Sequence, residues 1–355
     1  MSNVSKQLEK TGREIESAGR FQTVKRRLPA NFADRDLELF EGDLVKKIPQ
    51  PQVVEFENVK ITAEGILFRD GLMMPESFAR LENFRRWRRK RRNKRYEEVL
   101  RARPVRELER VVWVTDDWSK GYFHWLADVL PKLVIAADRL SHSTILLPAR
   151  FADSELVKDS FGRFGVGDLE FINENETVIA HRLYLPVHAA ESGDFDEATV
   201  DEIRRIMTVD IPQDHNPNKR IYISRSLAKR RKVVNDDEVS TILADFGFET
   251  VFAENLSFTE QADLFSSVGY LVSIHGAGLS NMLFMPAGGR VMEFRKNDPR
   301  VSNCFFNMAS ALEHEYYYQL CPATDKAQAP YSADLVVDSQ LLIDNLARFF
   351  REEIC

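Results

Sequence analysis

Three groups of residues combine types and spacings that can do chemistry. The first is Gly121-Tyr122-Phe123-His124-Trp125-Leu126-Ala127-Asp128-Val129-Leu130-Pro131-Lys132. His124, Asp128 and Lys132 recur at every fourth position, so a helix places them on one face. Leu126, Val129, Leu130, Leu133 and Ala137 then form the opposite, apolar stripe. A carboxylate or imidazole held there can take the proton of a hydroxyl, the general-base step of a displacement. Asp128 is the candidate base and His124 its alternate; the blander reading is an i,i+4 pair that only solvates the helix. Pro131 lies inside the helical pattern, and its missing N–H predicts a kink.

The second group is the strand-like Ile221-Tyr222-Ile223-Ser224-Arg225 followed by Ser226-Leu227-Ala228-Lys229-Arg230-Arg231-Lys232. Arg225, Lys229, Arg230, Arg231 and Lys232 cluster at a strand C-terminus, where forked guanidinium donors match phosphate oxygens. A solvated basic loop is the competing reading. The third group is an apolar strand, Val272-Ser273-Ile274, running into His275-Gly276-Ala277-Gly278 and a helical stretch that contains Asn281. Glycines let backbone N–H groups approach a ligand, and a helix N-terminus attracts anions. The run is not GxGxxG, and no Gly-Lys-Ser/Thr follows it, which disfavours nicotinamide and Walker-type sites; without a GxSxG elbow it is not an esterase oxyanion loop. A diphosphate held by these amides and the Arg225 cluster is the coherent reading. Glu293, at the following strand, is the expected acceptor of ribose hydroxyls. Asp194-Phe195-Asp196 is a DxD run, but Asp194 reads as a helix N-cap and Asp196 as a first-turn acid, so no metal and no cofactor are expected.

The elements that must position these residues alternate. Arg110–Thr115, Thr144–Pro148, Leu169–Ile172 and Val178–Pro186 read as strands around helices Tyr122–Leu140, Phe151–Phe164 and Glu197–Val209. After the polar linker Asp214–Lys219 the pattern restarts with strands at Arg220–Ser224, Glu249–Phe252, Tyr270–Ile274, Arg290–Phe294 and Tyr316–Leu320. Helices Asp236–Phe246, Thr259–Ser267, Leu279–Phe284 and Ser302–Leu312 separate them. The implied fold class is α/β, two Rossmann-like domains facing a cleft. The expected division is an N-terminal extension over residues 1–104, domains over 105–213 and 214–335, and a C-terminal helix over 336–355. Val53–Met74, with turn signals Glu64-Gly65 and Asp70-Gly71, is expected to form a β-hairpin module within the extension.

Composition bounds the class. The chain has 355 residues, a formal charge of −6, 44% hydrophobic and 29% charged residues, a globular balance that excludes wholesale disorder. No apolar run approaches the roughly 18–20 residues of a membrane span. The polar N-terminus lacks a leader's apolar core, and Cys304, Cys321 and Cys355 make an odd set without CxxC, so a cytoplasmic location is expected. Nine of the eleven residues Arg85–Arg95 are basic. With Leu81, Phe84, Trp87 and Leu100 nearby, the run reads as an amphipathic helix for an anionic membrane surface or polyanionic acceptor, or as a solvated face. Nucleic acid is disfavoured because the remainder of the chain is acidic.

Taken together, YFHWLADVLPKL, IYISRSLAKRRKVVND and HGAGLSNMLFMPAGGRVMEF resemble glycosyltransferase family 61, whose bacterial members are often labelled capsular polysaccharide biosynthesis proteins. The resemblance covers roughly residues 110–300. It departs in Asn235-Asp236, where Asn-Glu is usual, and in Lys132, where Arg is usual. It implies a GT-B-like, inverting, metal-independent glycosyltransferase that moves a sugar from a nucleotide-sugar, expectedly a UDP-sugar, to a surface-polysaccharide or glycolipid acceptor. Arg225, Arg231 and Lys229 would bind the donor diphosphate, His275, Gly276, Ala277 and Gly278 would cradle it, Asn281 would shape the site, and His124 and Asp128 would serve the acceptor. The competing classes are a non-catalytic polyanion or membrane adaptor built on Arg85–Arg95, and another α/β enzyme acting on a phosphorylated substrate.

Overall fold

The computed structural model describes residues 21–90, 103–187, 192–211, 217–325, 328–329 and 331–350. Its chain divides into two compact units, one formed by residues 1–22 and 48–192 and the other by residues 23–47 and 193–355. Two short strands, β1 (Phe21–Lys25) and β2 (Val45–Pro49), pair with each other.

The first unit is built on a seven-stranded sheet. Its strands are β3 (Gln52–Thr62), β4 (Leu67–Arg69), β5 (Leu72–Met73), β6 (Val105–Val112), β7 (Thr144–Pro148), β8 (Leu169–Ile172) and β9 (Thr177–Val187), in the spatial order β5-β4-β3-β9-β6-β7-β8. From β9 to β8 the pairing is parallel. By order in the chain those four strands run 3-2-1-4, the Rossmann arrangement, whose order reverses between β6 and β9. The hairpin module expected at Val53–Met74 is instead the antiparallel edge of this sheet, because β3 pairs with β9 over ten registered positions from Gln52–Val187 to Thr62–Thr177. Val59, Ile61, Val111, Trp113, Leu146, Val178 and Leu183 form one buried cluster across it. Each such side chain contributes about 1.5–3 kcal/mol by leaving water.

The described part of the basic run is the helix Leu81–Lys90; residues 91–95 and Leu100 lie outside the described residues. Its apolar side chains are not spread for a bilayer. Phe84 is buried with Ile66 and Phe78, and Trp87 packs on the same cluster, its ring 6.0 Å from that of Phe78. The aromatic anchor expected for a membrane is therefore the inward face of the helix, while Leu81, Arg85 and Arg86 are exposed. No helix among the described residues is long and apolar enough to cross a membrane.

The second unit carries a five-stranded parallel sheet, β10 (Lys219–Ile223), β11 (Glu249–Val251), β12 (Val268–Ile274), β13 (Arg290–Lys296) and β14 (Glu315–Cys321). The spatial order β11-β10-β12-β13-β14 reads 2-1-3-4-5, a doubly wound sheet that reverses between β10 and β12. All seven residues of β12 are buried, as expected of a central parallel strand covered on both faces. Residues 23–47, which carry no obvious core in the sequence, add to this unit: Phe40 is fully buried against Phe306, Tyr316 and Tyr318, and the Ala30 N–H donates to the Tyr316 carbonyl at 2.8 Å.

Candidate functional site

In the first unit, the segment after β6 makes a polar turn before its helix. Asp116 Oδ1 accepts the N–H groups of Trp118 and Ser119 at 2.9 and 3.1 Å, and Lys132 Nζ reaches Asp116 Oδ2 at 3.4 Å. Burial alone would raise the Asp116 carboxyl, but Lys132 and these donors hold it below the ordinary carboxylate range. Lys132 thus braces the turn rather than joining His124 and Asp128.

The expected helix Tyr122–Leu140 forms in pieces: Tyr122–His124, a π-helical turn over Trp125–Val129, then Leu130–Ile135 and Ala137–Leu140. The Leu130 N–H donates to the Trp125 carbonyl, five residues back. Pro131 supplies no N–H, and the wider turn absorbs that lost bond where the sequence predicts a kink. Trp125 anchors the turn in the core, fully buried, its Nε1 donating to Ser160 Oγ at 2.9 Å and its ring stacked on Phe161.

That turn presents His124 and Asp128 as a bonded pair. Nδ1 of His124 lies 2.7 Å from Asp128 Oδ2, and Ser192 Oγ donates to the same oxygen at 3.0 Å. A carboxylate has no proton to give, so Nδ1 carries the hydrogen and Nε2 is the nitrogen turned away from the pair. The Asp128 side chain is only 6% exposed, whereas that of His124 is 26% exposed, its ring 4.8 Å from Trp118. Geometry therefore ranks His124 ahead of Asp128 as the group that meets a ligand, with Asp128 fixing its tautomer. Ser192 was not singled out by sequence because it follows β9, 64 residues away from Asp128. Both chain segments leave C-terminal strand ends on either side of the strand-order reversal, where such sheets bind ligands.

The second unit repeats that placement with opposite chemistry. β10 delivers Arg225 and β12 delivers His275 at the reversal between them. Arg225 and Arg231 are half-buried, and neither has a carboxylate within ion-pair distance among the described residues. Among the described residues, Arg225 Nε donates to the Arg231 carbonyl at 3.3 Å, and the buried Nε of Arg231 finds no acceptor. Burial, with Arg225 and Arg230 nearby, pushes the Arg231 guanidinium down to about 10, and burial likewise lowers Arg225. Arg231 also sits at φ 57°, a left-handed conformation that strains a side-chain-bearing residue by about 1–2 kcal/mol. Lys229 and Arg230 are exposed.

The glycines have specific neighbours. A Cβ on Gly276 would meet the Arg225 guanidinium at 3.3 Å, and one on Gly278 would meet Ile223 Cγ2 at 3.1 Å. Gly276 thus lets the guanidinium lie against the backbone, and Gly278 lets the 3₁₀ segment Ala277–Phe284 pack on β10. Asn281 is wholly buried and donates to Gln261 Oε1 at 2.9 Å.

Glu293 departs from its expected role. It is 0% exposed, and its two oxygens accept from His275 Nδ1 at 2.6 Å and Tyr316 O–H at 2.7 Å. Burial raises such a carboxyl, yet His275 and Arg295 hold it below the usual range. It orients His275 and has no oxygen left facing a ribose; its mid-strand position in β13 explains why. The DxD acids are likewise engaged. Asp194 is buried in ion pairs with Arg26 at 3.0 Å and Lys46 at 2.6 Å, and it is Asp196 that caps the helix Glu197–Thr208 through the Thr199 N–H.

The strand-order reversals thus carry a His–Asp pair in one unit and, in the other, two guanidiniums without a carboxylate among the described residues, on a mixed α/β fold. The Glycosyltransferase 61 family model matches residues 122–292, just under half of the chain, from the His124 turn to β13. Over 92 residues the chain is 34% identical to an EGF domain-specific O-linked N-acetylglucosamine transferase of Drosophila melanogaster, covering 25% of this chain and 17% of that protein. Over 74 residues it is 36% identical to beta-1,2-xylosyltransferase XAX1 of Oryza sativa subsp. japonica, covering 21% and 13%. The chain spans less than a fifth of each relative. The similarity to glycosyltransferase family 61 thus lies over residues 122–292 of a mixed α/β fold, and both relatives are named as sugar transferases.

Proposed function

We propose that the protein transfers a sugar from a nucleotide-sugar, most simply a UDP-sugar, to a glycan-type acceptor with inversion at the anomeric carbon and without a metal ion. The observation that carries this reading is the pair of half-buried guanidiniums, Arg225 and Arg231, left without a carboxylate among the described residues. Two like charges that stay half-buried are relieved by a bound anion, and a diphosphate supplies two negative groups for two guanidiniums. The His275–Glu293 pair accompanies that reading as a positioning device, because the buried carboxylate fixes the imidazole at the start of the glycine turn.

In this scheme each unit has its own task. In the first, His124 Nε2, its ring held by Asp128 and Ser192, takes the proton of the acceptor hydroxyl as that oxygen forms its bond to the anomeric carbon. In the second, Arg225 and Arg231 meet the charge left on the diphosphate when its bond to that carbon breaks. Bacterial surface polysaccharide remains the proposed acceptor class, as the resemblance implied; the animal and plant relatives widen it to other glycan acceptors. Thermal-shift titration with UDP, GDP, CDP and dTDP and their sugars tests the donor half. One nucleotide should raise the midpoint in wild type and not in Arg225→Ala. Equal responses in both proteins refute the assignment.

A further inference from the structure

With Glu293 enclosed, the donor crevice needs another acceptor for hydroxyl groups, and the topology supplies one. In doubly wound sheets the acid that reads a ribose follows the strand beside the first, one crevice wall away from the phosphate turn. Here that neighbour is β11, which pairs in parallel with β10 up to Ile223–Val251, and the Ser224 N–H extends the ladder to the Val251 carbonyl at 3.0 Å. Arg225 is the next residue on one side. On the other side, the short 3₁₀ turn Ala253–Asn255 carries Glu254.

Glu254 is exposed and makes no ion pair or hydrogen bond among the described residues. Its charge nevertheless reaches Arg225 and partly offsets the effect of burial on that guanidinium. An acid beside an anion site repels phosphate, so the position suits a hydroxyl-bearing group one linkage from the phosphate.

We infer that Glu254 accepts the hydroxyl hydrogens of the donor nucleotide's ribose and so determines preference for ribonucleotides over deoxyribonucleotides. This rests on the nucleotide-sugar reading above. The test is calorimetric titration of wild type and Glu254→Gln with UDP, GDP, CDP and ADP, their 2′-deoxy and 3′-deoxy forms, and inorganic pyrophosphate. Wild type should bind one ribonucleotide at least about fivefold tighter than a deoxy form, close to the free energy of one hydrogen bond. Glu254→Gln should erase most of that ratio while pyrophosphate binds at least as tightly as in wild type. A ratio retained in the variant, or absent from wild type, overturns the assignment while the donor reading stands. Failure of every nucleotide to bind overturns both.

Discussion

The two strand-order reversals carry equally polar residues, yet one closes its charges on themselves and the other leaves them open. In the first unit Asp116 meets Lys132 and Asp128 meets His124, so each acid has its base. In the second unit, buried cations elsewhere are also matched: Arg26 to Asp194, Arg290 to Glu315 and the Phe349 carbonyl, Arg295 to Asn303. After β10, by contrast, the half-buried Arg225 and Arg231 have no carboxylate within ion-pair distance among the described residues, and the buried Nε of Arg231 has no acceptor among them. A closed pair sets the orientation and protonation of a reacting group. An open pair stores electrostatic energy that a ligand releases. The contrast is what the proposal of proton handling at one reversal and anion binding at the other rests on.

The sharpest way to break this contrast is to remove the proton-handling group and ask what survives. His124→Ala should cut sugar transfer by about 10²–10⁴-fold, the usual worth of a positioned general base. Nucleotide affinity should not change. Asp128→Asn should lower transfer less, because Ser192 and the amide oxygen still hold the ring while the charge behind it is gone. Steady-state transfer rates beside thermal-shift titrations measure both. If Asp128→Asn is the more damaging, the carboxylate is the base and the ranking inverts.

The second perturbation works on the open pair. Arg231→Gly removes one guanidinium and relieves the left-handed strain at φ 57°. The relief of about 1–2 kcal/mol offsets the entropic cost of glycine, about 0.5–1 kcal/mol. The ligand-free variant should therefore melt at or above the wild-type midpoint while losing at least about tenfold in donor kcat/KM. Loss of both stability and activity would mean that Arg231 is a structural residue. Gly276→Ala acts more gently, pressing a methyl on the Arg225 guanidinium at 3.3 Å. It should weaken nucleotide binding severalfold with little change in midpoint, read by the same titration.

How far these sites were legible from sequence follows the same contrast. Strand alternation, the glycine turn and the cation cluster are local patterns, and the parallel sheet of the second unit follows from them. His124 and Asp128 are four residues apart on one helix, so their pairing was readable; which of them faces a ligand was not, since Ser192 comes from another segment. Glu293 was misread because its position beside His275 depends on the register of β12 against β13, Ser273 opposite Glu293, and on Tyr316 from β14. The hairpin at Val53–Met74 was readable as strands but not as a sheet edge, since its partner β9 lies more than a hundred residues on. Local chemistry shows in sequence; partners brought by long-range pairing do not.

The smallest expected effect probes a closed element of the second unit. His314 is buried, its Nε2 donating to the Met282 carbonyl at 3.0 Å and its Nδ1 enclosed without a partner. Burial pushes its imidazole down to about 4 from an ordinary 6.5, so the folded protein keeps it neutral where the unfolded chain binds a proton. Between those values the unfolded state holds more protons, and stability must fall as pH drops from about 6.5 toward 4. The stabilisation is fully present above 6.5. Carboxylates such as Glu293 and Asp116, held below their ordinary range, add a loss only at lower pH, as they protonate. Thermal midpoints should therefore decline by a few degrees between pH 6.5 and 5, and His314→Gln should flatten that decline while shifting the neutral-pH midpoint little. A slope that persists in His314→Gln assigns the proton uptake to another group and overturns the role given to His314.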